Sequence, residues 1–297
     1  MIYEKIMVPL DGSNAAEIAL PYAEEIAARL GAEIILVSVS GPTVEAKDHL
    51  YRSYLDKITE QVRGRLDDWG AKEGAKVQSE VFAGKPASEI LRYADENNVS
   101  LIAMASRGRS GRGPWLLGNI AAKVLRATQK PVLLIRAPAD ETALQQRSLV
   151  KKILLPLDGS SVGEAAFPYA EVLTQELGAE LVLFQVLRPT VLIAEGSTMV
   201  SAAIYEEQEE ARKASALAYV DSVGSRLKEK GLSSRSVVAS GSPADQIIGY
   251  AESNAIDLIA MSSHGRSGIG RWVFGSVTDK VLHAGDTAVL TVRASRE

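Results

Sequence analysis

Short apolar runs alternate with longer stretches of mixed polarity along the chain, and the whole alternation occurs twice. Ile6–Leu10 is a compact apolar run of strand length. Ser13 then offers an N-cap for a helix reaching to about Leu30, which Gly31 stops. Pro21 falls inside that helix and Pro168 inside its twin, so a kink or local break is expected there. Ile34–Val39 forms a second strand, a long helix runs from about Tyr51 to Lys72, and Val77–Phe82 forms a third strand. Pro86 opens a short helix over Ala87–Glu96. Leu101–Met104 is the fourth strand; a glycine-bearing loop, a last helix and a fifth strand, Val132–Arg136, follow. The second copy reads the same way through Leu181–Val186, Ala203 to Lys230, Ser236–Ala239, Ala244–Ser253, Leu258–Met261 and Val289–Arg293.

The repeat is direct. Lys5-Ile6-Met7-Val8-Pro9-Leu10-Asp11-Gly12-Ser13 aligns with Lys152-Ile153-Leu154-Leu155-Pro156-Leu157-Asp158-Gly159-Ser160 at an offset of 147, which Pro21/Pro168 and Gly31/Gly178 keep. Gly84/Gly241, Pro86/Pro243, Gly108/Gly265, Trp115/Trp272 and Gly118/Gly275 share an offset of 157. The second copy therefore carries ten extra residues between its second and third strands. Two long copies with one insertion are a duplication, not a short-period solenoid. Strand and helix alternate throughout, so the expected class is α/β: two repeated open parallel five-stranded sheets, order 3-2-1-4-5, with helices on both faces. The expected division is a first domain over 1–138, a linker over 139–150 and a second domain over 151–297. The polar stretch from Ala137 to Val150 is long enough to span ~45 Å if extended.

Composition narrows the function classes. The 297 residues carry 33 basic and 37 acidic side chains, a net charge of −4, which argues against nucleic acid as a partner. No apolar stretch reaches the ~18 residues of a membrane span, and the start, M-I-Y-E-K-I-M-V-P-L, reads as a first strand rather than a signal peptide. A cytoplasmic, non-membrane protein is expected. The absence of cysteine removes disulfides, thiolate metal sites and cysteine nucleophiles.

Ligands of open α/β sheets bind beyond the carboxyl ends of the strands, where the strand order reverses. With order 3-2-1-4-5 that point lies between strands 1 and 4, where Pro9-Leu10-Asp11 would meet Met104 and the first glycine loop, and Pro156-Leu157-Asp158 would meet Met261 and the second. The loop of the second copy is Ser262-Ser263-His264-Gly265-Arg266 through Gly275-Ser276-Val277; that of the first is Ala105-Ser106-Arg107-Gly108 through Gly118-Asn119-Ile120. A strand, a glycine-rich loop and a helix start present backbone N–H groups to an anion. Arg266 and Arg271 add positive charge, and Ser276 can cap the helix or donate to phosphate. Neither a Walker A loop nor a G-x-G-x-x-G with its ribose acid is present. The plain alternative is a glycine turn before a serine-capped helix, just as Asp11 and Asp158 are either ribose or base ligands or the Asp-Gly of a turn. A receiver-type phosphoacceptor is disfavoured, since the first strand lacks a paired acid and the fifth ends in arginine. His264 matches Arg107, an exchange that suits a phosphate or backbone contact better than proton transfer. His49 and His283 read as surface residues, Trp115 and Trp272 as loop or interface packing, and Glu206-Glu207-Gln208-Glu209-Glu210 as a solvated helix face. No Ser/His/Asp constellation or metal-ligand spacing stands out, so no catalytic residue and no metal site is assigned.

The chain resembles the universal stress protein family in its tandem two-domain form. The P-L-D-G-S after each first strand and the glycine, nine residues, then Gly-Ser of the second copy carry the resemblance, which spans nearly the whole chain. It implies ATP or AMP/ADP in the crevice described, with or without Mg²⁺. The adenosine end would touch Asp158, the backbone near Pro156 and Leu157, and Val186; the phosphates would meet Ser263, His264, Gly265, Gly275, Ser276 and Val277. The first copy's counterparts are Pro9, Leu10, Asp11, Val39, Ser106, Arg107, Gly108, Gly118, Asn119 and Ile120. The pattern's leading glycine is Ser262 in one copy and Ala105 in the other, and its terminal hydroxyl is kept in Ser276 but replaced by Asn119. The second site is therefore the stronger candidate. Members also pair through their last strands, which implies an intrachain pseudo-dimer, with association of two chains left open. The expected function is an adenine-nucleotide-binding stress-response or regulatory protein without efficient catalysis. The alternatives are a scaffold acting through protein partners and a slow ATP hydrolase.

Overall fold

The computed structural model describes residues 2–41, 45–108, 117–136, 148–189, 202–264 and 274–294. The first half runs β1 (Lys5–Pro9), α1 (Asn14–Glu17), α2 (Leu20–Leu30), β2 (Glu33–Ser40), α3 (Glu45–Asp68), β3 (Lys76–Ala83), α4 (Pro86–Glu96), β4 (Leu101–Ala105), α5 (Asn119–Ala127) and β5 (Val132–Ile135). The second runs β6 (Lys152–Leu157), a 3₁₀ turn (Gly163–Ala166), α6 (Phe167–Leu177), β7 (Glu180–Leu187), α7 (Ala202–Glu229), β8 (Ser234–Ser240), α8 (Pro243–Ser253), β9 (Leu258–Ser262), α9 (Ser276–Ala284) and β10 (Ala288–Val292).

Both prolines break the first helix as their chemistry requires. Pro21 and Pro168 fall in the first turn of α2 and α6, where a missing N–H costs nothing, and the preceding turn becomes a separate piece. Ser13 caps α1 by accepting from Ala16 N. Gly31 and Gly178 end α2 and α6 in the left-handed region, at φ of +72° and +67°, which a residue without Cβ enters freely. The third helix begins at Glu45 and ends at Asp68, displaced toward the N-terminus from the expected Tyr51 to Lys72. The residues next to Glu45 show no apolar periodicity in the sequence, which hides the start.

The strands follow the order β3-β2-β1-β4-β5-β10-β9-β6-β7-β8. Each half keeps the parallel 3-2-1-4-5 order, and the two join edge to edge into one ten-stranded sheet. The joint is antiparallel, with Val289 opposite Leu134, Leu290 opposite Leu133 and Thr291 opposite Val132. Both strands are buried along their length, so each covers an apolar edge that would otherwise invite foreign strands. Arg136 donates to Leu282 O near the end of α9, and Arg293 donates to Arg126 O near the end of α5. Each half thus lays a cation on the negative end of the other half's last helix.

Side chains alternate between two apolar layers: Ile6 and Val8 enter one, Met7 the other, and each layer continues through both halves. On the first face Tyr3 meets Tyr169 edge-on at 5.9 Å, and Glu25 accepts from Leu149 N at 3.1 Å and Val150 N at 3.3 Å. Burial pushes the Glu25 carboxyl above its ordinary range.

Two outcomes follow from this packing. Leu133→Ala, in the middle of the joint, is expected to cost about 2–5 kcal/mol in urea unfolding; a loss well under 1 kcal/mol would mean the joint carries little stability. Because the folded-state pKa of Glu25 is raised, its contribution is fully present below the unfolded value and is lost as pH rises through the folded one. Glu25→Gln should match the wild type in stability below pH 4 and exceed it increasingly above that. Unfolding curves from pH 3 to 8 test this, and a Gln variant that is weaker at pH 7 contradicts it.

Candidate functional site

The sheet opens where its winding reverses. β6 is in register with β7 along its whole length, but with β9 at Ile153↔Leu258 and Leu154↔Ile259, near its start. β1 and β4 behave alike, at Ile6↔Leu101 and Met7↔Ile102. Side chains clamp the amino ends. Asp257 Oδ2 accepts from Lys151 N at 2.8 Å and Lys152 N at 2.9 Å, and Ser100 Oγ accepts from Glu4 N and Lys5 N, both at 2.9 Å. Beyond the clamp the strands part, and a crevice forms at their carboxyl ends.

In the second half that crevice is a cavity of about 480 Å³, within the range of small-molecule sites. Pro156, Leu157 and Asp158 line it from the tip of β6, Val186 from β7, and Met261, Ser262 and His264 from the end of β9. Gly275, Ser276 and Val277 line it from the start of α9. The sequence-predicted residues therefore converge on one space. Ser263 lies between two of them but is turned inward: it is 1% exposed, and its Oγ stands 3.0 Å from His264 Nδ1. Gly265, Arg266, Arg271 and Trp272 lie outside the described residues, as do residues 109–116 of the first loop, Trp115 among them. His49 is exposed and His283 bonds to Asp279 O at 2.7 Å, both away from the cavity.

Two details revise the expected roles. Gly275 N donates to Ser263 O at 2.9 Å, and Gly118 N to Ser106 O at 2.8 Å, so these amides close the necks of the loops instead of facing a ligand. A Cβ on Gly118 would lie 3.1 Å from Ser106 O; close approach, with no unusual φ, is what requires glycine there. Ser276 is the first residue of α9 and does not cap it, Gly275 being the N-cap with no side-chain hydrogen bond. The amides available to an anion are those of the first turn of α9, which no side chain caps and whose helix dipole favours negative charge.

Asp158 is held by its neighbours. Its Oδ1 accepts from Ser160 N at 3.0 Å and Ser160 Oγ at 2.6 Å, and Ser160 Oγ accepts from Gly163 N at 3.0 Å. A Cβ on Gly163 would stand 2.2 Å from Asp158 Oδ1, so the glycine makes room for this carboxylate. Asp11 repeats the turn through Ser13 N at 3.1 Å and Ser13 Oγ at 2.5 Å, but Ala16 occupies the place of Gly163. Asp11 Oδ2 lies instead against the backbone of Gly108, where a Cβ would stand 2.3 Å away. For Asp158 the turn and the ligand readings are compatible: Oδ1 serves the turn, and the residue still lines the cavity.

In the first half Pro9 ends β1 and Leu10 and Asp11 follow it, Val39 lies on β2, Met104 and Ala105 end β4, Ser106, Arg107 and Gly108 follow it, and Gly118 caps α5, which Asn119 and Ile120 open. The topology gathers them as in the second half. Ser38 Oγ donates to Leu10 O at 2.8 Å within this group.

Sequence reasoning missed several lining residues. Gln185, Gly163 and Thr278 border the cavity, as do Arg188 and Arg212, the latter donating to Arg188 O at 2.9 Å and pairing with Glu209. Thr278 Oγ1 donates to Ser262 O at 2.9 Å and fastens α9 to β9. A glutamine within the apolar run Leu181–Val186, and a glycine where the first copy has Ala16, were the available signals. Among the described residues no group of three or more His, Asp or Glu is placed to hold a metal ion, and no helix is long and apolar enough to cross a membrane.

Comparison with known proteins agrees with this architecture. The universal stress protein family model matches residues 2–136 and again 150–293. A universal stress protein of Mycolicibacterium smegmatis is 25% identical over 97% of this chain and 96% of its own length. One from Methanocaldococcus jannaschii is 31% identical over 47% of this chain and 86% of its own length, matching a single copy. The crystal structure of a universal stress protein from Archaeoglobus fulgidus shares the fold with a TM-score of 0.66, 23% identity and 98% coverage of both chains. With its repeat, its strand order and a family match in each half, the chain belongs to the universal stress protein family.

Proposed function

We propose that the protein binds an adenine nucleotide in the cavity of its second half, as a stress-response or regulatory protein that does not turn the nucleotide over efficiently. The observation that carries this reading is the meeting of Asp158 and the uncapped start of α9 across one 480 Å³ space. A carboxylate on one side suits ribose hydroxyls or a base amine, and helix N–H groups on the other suit phosphates. ATP, ADP and AMP share these features. His264, Arg188 and Arg212 line the same space and supply basic character near a polyphosphate. Any Mg²⁺ would be carried chiefly by the nucleotide's own phosphates, in the usual manner of this ion.

The reading of slow or absent turnover rests on the acid side of the cavity. Asp158 is its one lining carboxylate among the described residues, and its Oδ1 is already committed to Ser160. A general base for attack by water needs an available acceptor near the transferred phosphoryl, and Asp158 enters the cavity from the tip of β6, not from α9, where the phosphates are proposed to sit.

The two halves are proposed to act as a pair of domains joined into an internal dimer through β5 and β10. The first-half site is proposed to bind more weakly, because Asn119 replaces the hydroxyl of Ser276 and Asp11 leans on Gly108.

Calorimetric titration of the full chain with ATP tests the reading. Binding tighter than millimolar, dominated by the second half, is expected; no detectable heat or competition from any adenine nucleotide would remove it. Gly163→Ala, which restores the residue of the first copy, should displace Asp158 and weaken binding roughly tenfold to a hundredfold, the loss of one charged hydrogen bond. Its thermal stability should change little, because the 3₁₀ turn accepts alanine. Phosphate release should stay below one equivalent per chain over the time of the titration.

A further inference from the structure

Arg212 reaches the cavity from α7, and its guanidinium is tied at two of its nitrogens. Nη1 pairs with Glu209, one turn earlier on the same helix, and Nη2 donates to Arg188 O at 2.9 Å, just past the end of β7. The N–H bonds of a guanidinium all lie in its plane, so partners at its edges fix the plane and leave its faces to other contacts. The side chain is 37% exposed, so these ties do not seal it from the cavity. The Glu209 carboxylate also offsets its charge. Beyond the basic character it lends the space, Arg212 is a flat and fixed surface.

Topology gives that surface a place along the cavity. The bond from Gly275 N to Ser263 O holds the start of α9 at the tip of β9. β6, with Asp158 just past its end, is the next strand, and β7 is the one after. The end of β7, to which Arg212 is tied, therefore lies about two strand spacings, roughly 10 Å, from the phosphate end. A nucleotide with its phosphates at α9 and its ribose at Asp158 carries its base toward the end of β7. The surroundings there suit a flat apolar ring, since Val186 and Ile247 line the same cavity. α7 packs into one apolar layer of the sheet and α8, which bears Ile247, into the other, so Arg212 and Ile247 come from helices on different faces.

We propose that Arg212 is a recognition residue for the nucleobase: its guanidinium, held flat by Glu209 and the Arg188 carbonyl, stacks on a face of the ring. The inference rests on the nucleotide reading above and deepens it, because the preferred occupant then carries an aromatic base and is not a bare polyphosphate. A delocalised cation is attracted to a π face, and such stacking reads the ring more than the groups on its edge. Glu209 is a positioning residue, acting through Arg212.

Side-chain NMR of the full chain, with the Arg212 signals assigned by their loss in Arg212→Lys, tests the contact. Saturating ATP should move the Arg212 δ-proton and Nε–H signals upfield through the ring current of the base, whereas inorganic tripolyphosphate, which has no ring, should not. Calorimetry supplies a second readout. Arg212→Lys keeps the charge and loses the plane, and should weaken ATP binding about threefold to thirtyfold, the scale of a cation–π contact. Glu209→Ala removes a negative charge and would tighten ATP binding if Arg212 acted by charge alone; with the plane released, binding should be no tighter than in wild type. The Arg212–Glu209 pair is partly exposed on α7, so both variants should melt within a few degrees of wild type. Unmoved Arg212 signals in the ATP complex, the same movement with tripolyphosphate, wild-type ATP affinity in Arg212→Lys, or tighter binding in Glu209→Ala overturns the inference while nucleotide binding stands. Failure of wild type to bind ATP overturns the nucleotide reading and this inference with it.

Discussion

The structure depends on a parallel strand pair that is clamped at one end and open at the other. β6 and β9 share register near their amino ends, where Asp257 gathers the Lys151 and Lys152 amides, and then diverge. Divergence is imposed by topology. The chain leaves β6 toward β7 on one side and reaches β9 from the other, so no crossover covers the space between their tips. The residues that follow each strand border that space: Asp158 after β6 and His264 after β9. Cavity, carboxylate and helix dipole are consequences of this one arrangement, and it occurs again between β1 and β4.

Duplication then lets the two copies drift within a shared frame. The joint at β5 and β10 keeps the symmetry of the repeat. Arg136 and Arg293 make reciprocal contacts across it, and both apolar layers run through it without interruption. The crevices have moved apart. Ala16 corresponds to Gly163, Ser38 to Gln185, Ala121 to Thr278 and Asn119 to Ser276. Stability constrains the joint, because a lost strand pair exposes two sheet edges. A crevice at strand tips carries less of the core, and its residues can change with smaller effects on folding.

Much of this was legible in the residues. The repeat, the α/β class, the strand order and the convergence of Asp158 with the two ends of the second glycine loop follow from periodicity and from where open sheets bind ligands. The joining of the halves into one sheet was implied by family resemblance and by the apolar runs of the last strands, since the two edges cover each other. Other features were beyond local pattern. Glycine spacing suggested amides aimed at a ligand, yet Gly118 and Gly275 spend theirs on closing the loop, a choice set by a carbonyl twelve residues away in sequence. Arg188 and Arg212 reach the cavity from separate elements, which no single motif announces. Gln185 was visible as an odd residue in an apolar strand, but its place at the cavity wall needed the fold.

The account stands or falls on whether phosphates settle at the start of α9 opposite Asp158. Amide-resolved NMR of the labelled chain during an ATP titration reads that position directly. The account predicts the largest shifts at Ser276 and Val277, with smaller ones around Asp158 and little change at Asn119 and Ile120 until much higher concentration. Saturable binding that moves other amides and leaves Ser276 and Val277 still would contradict it.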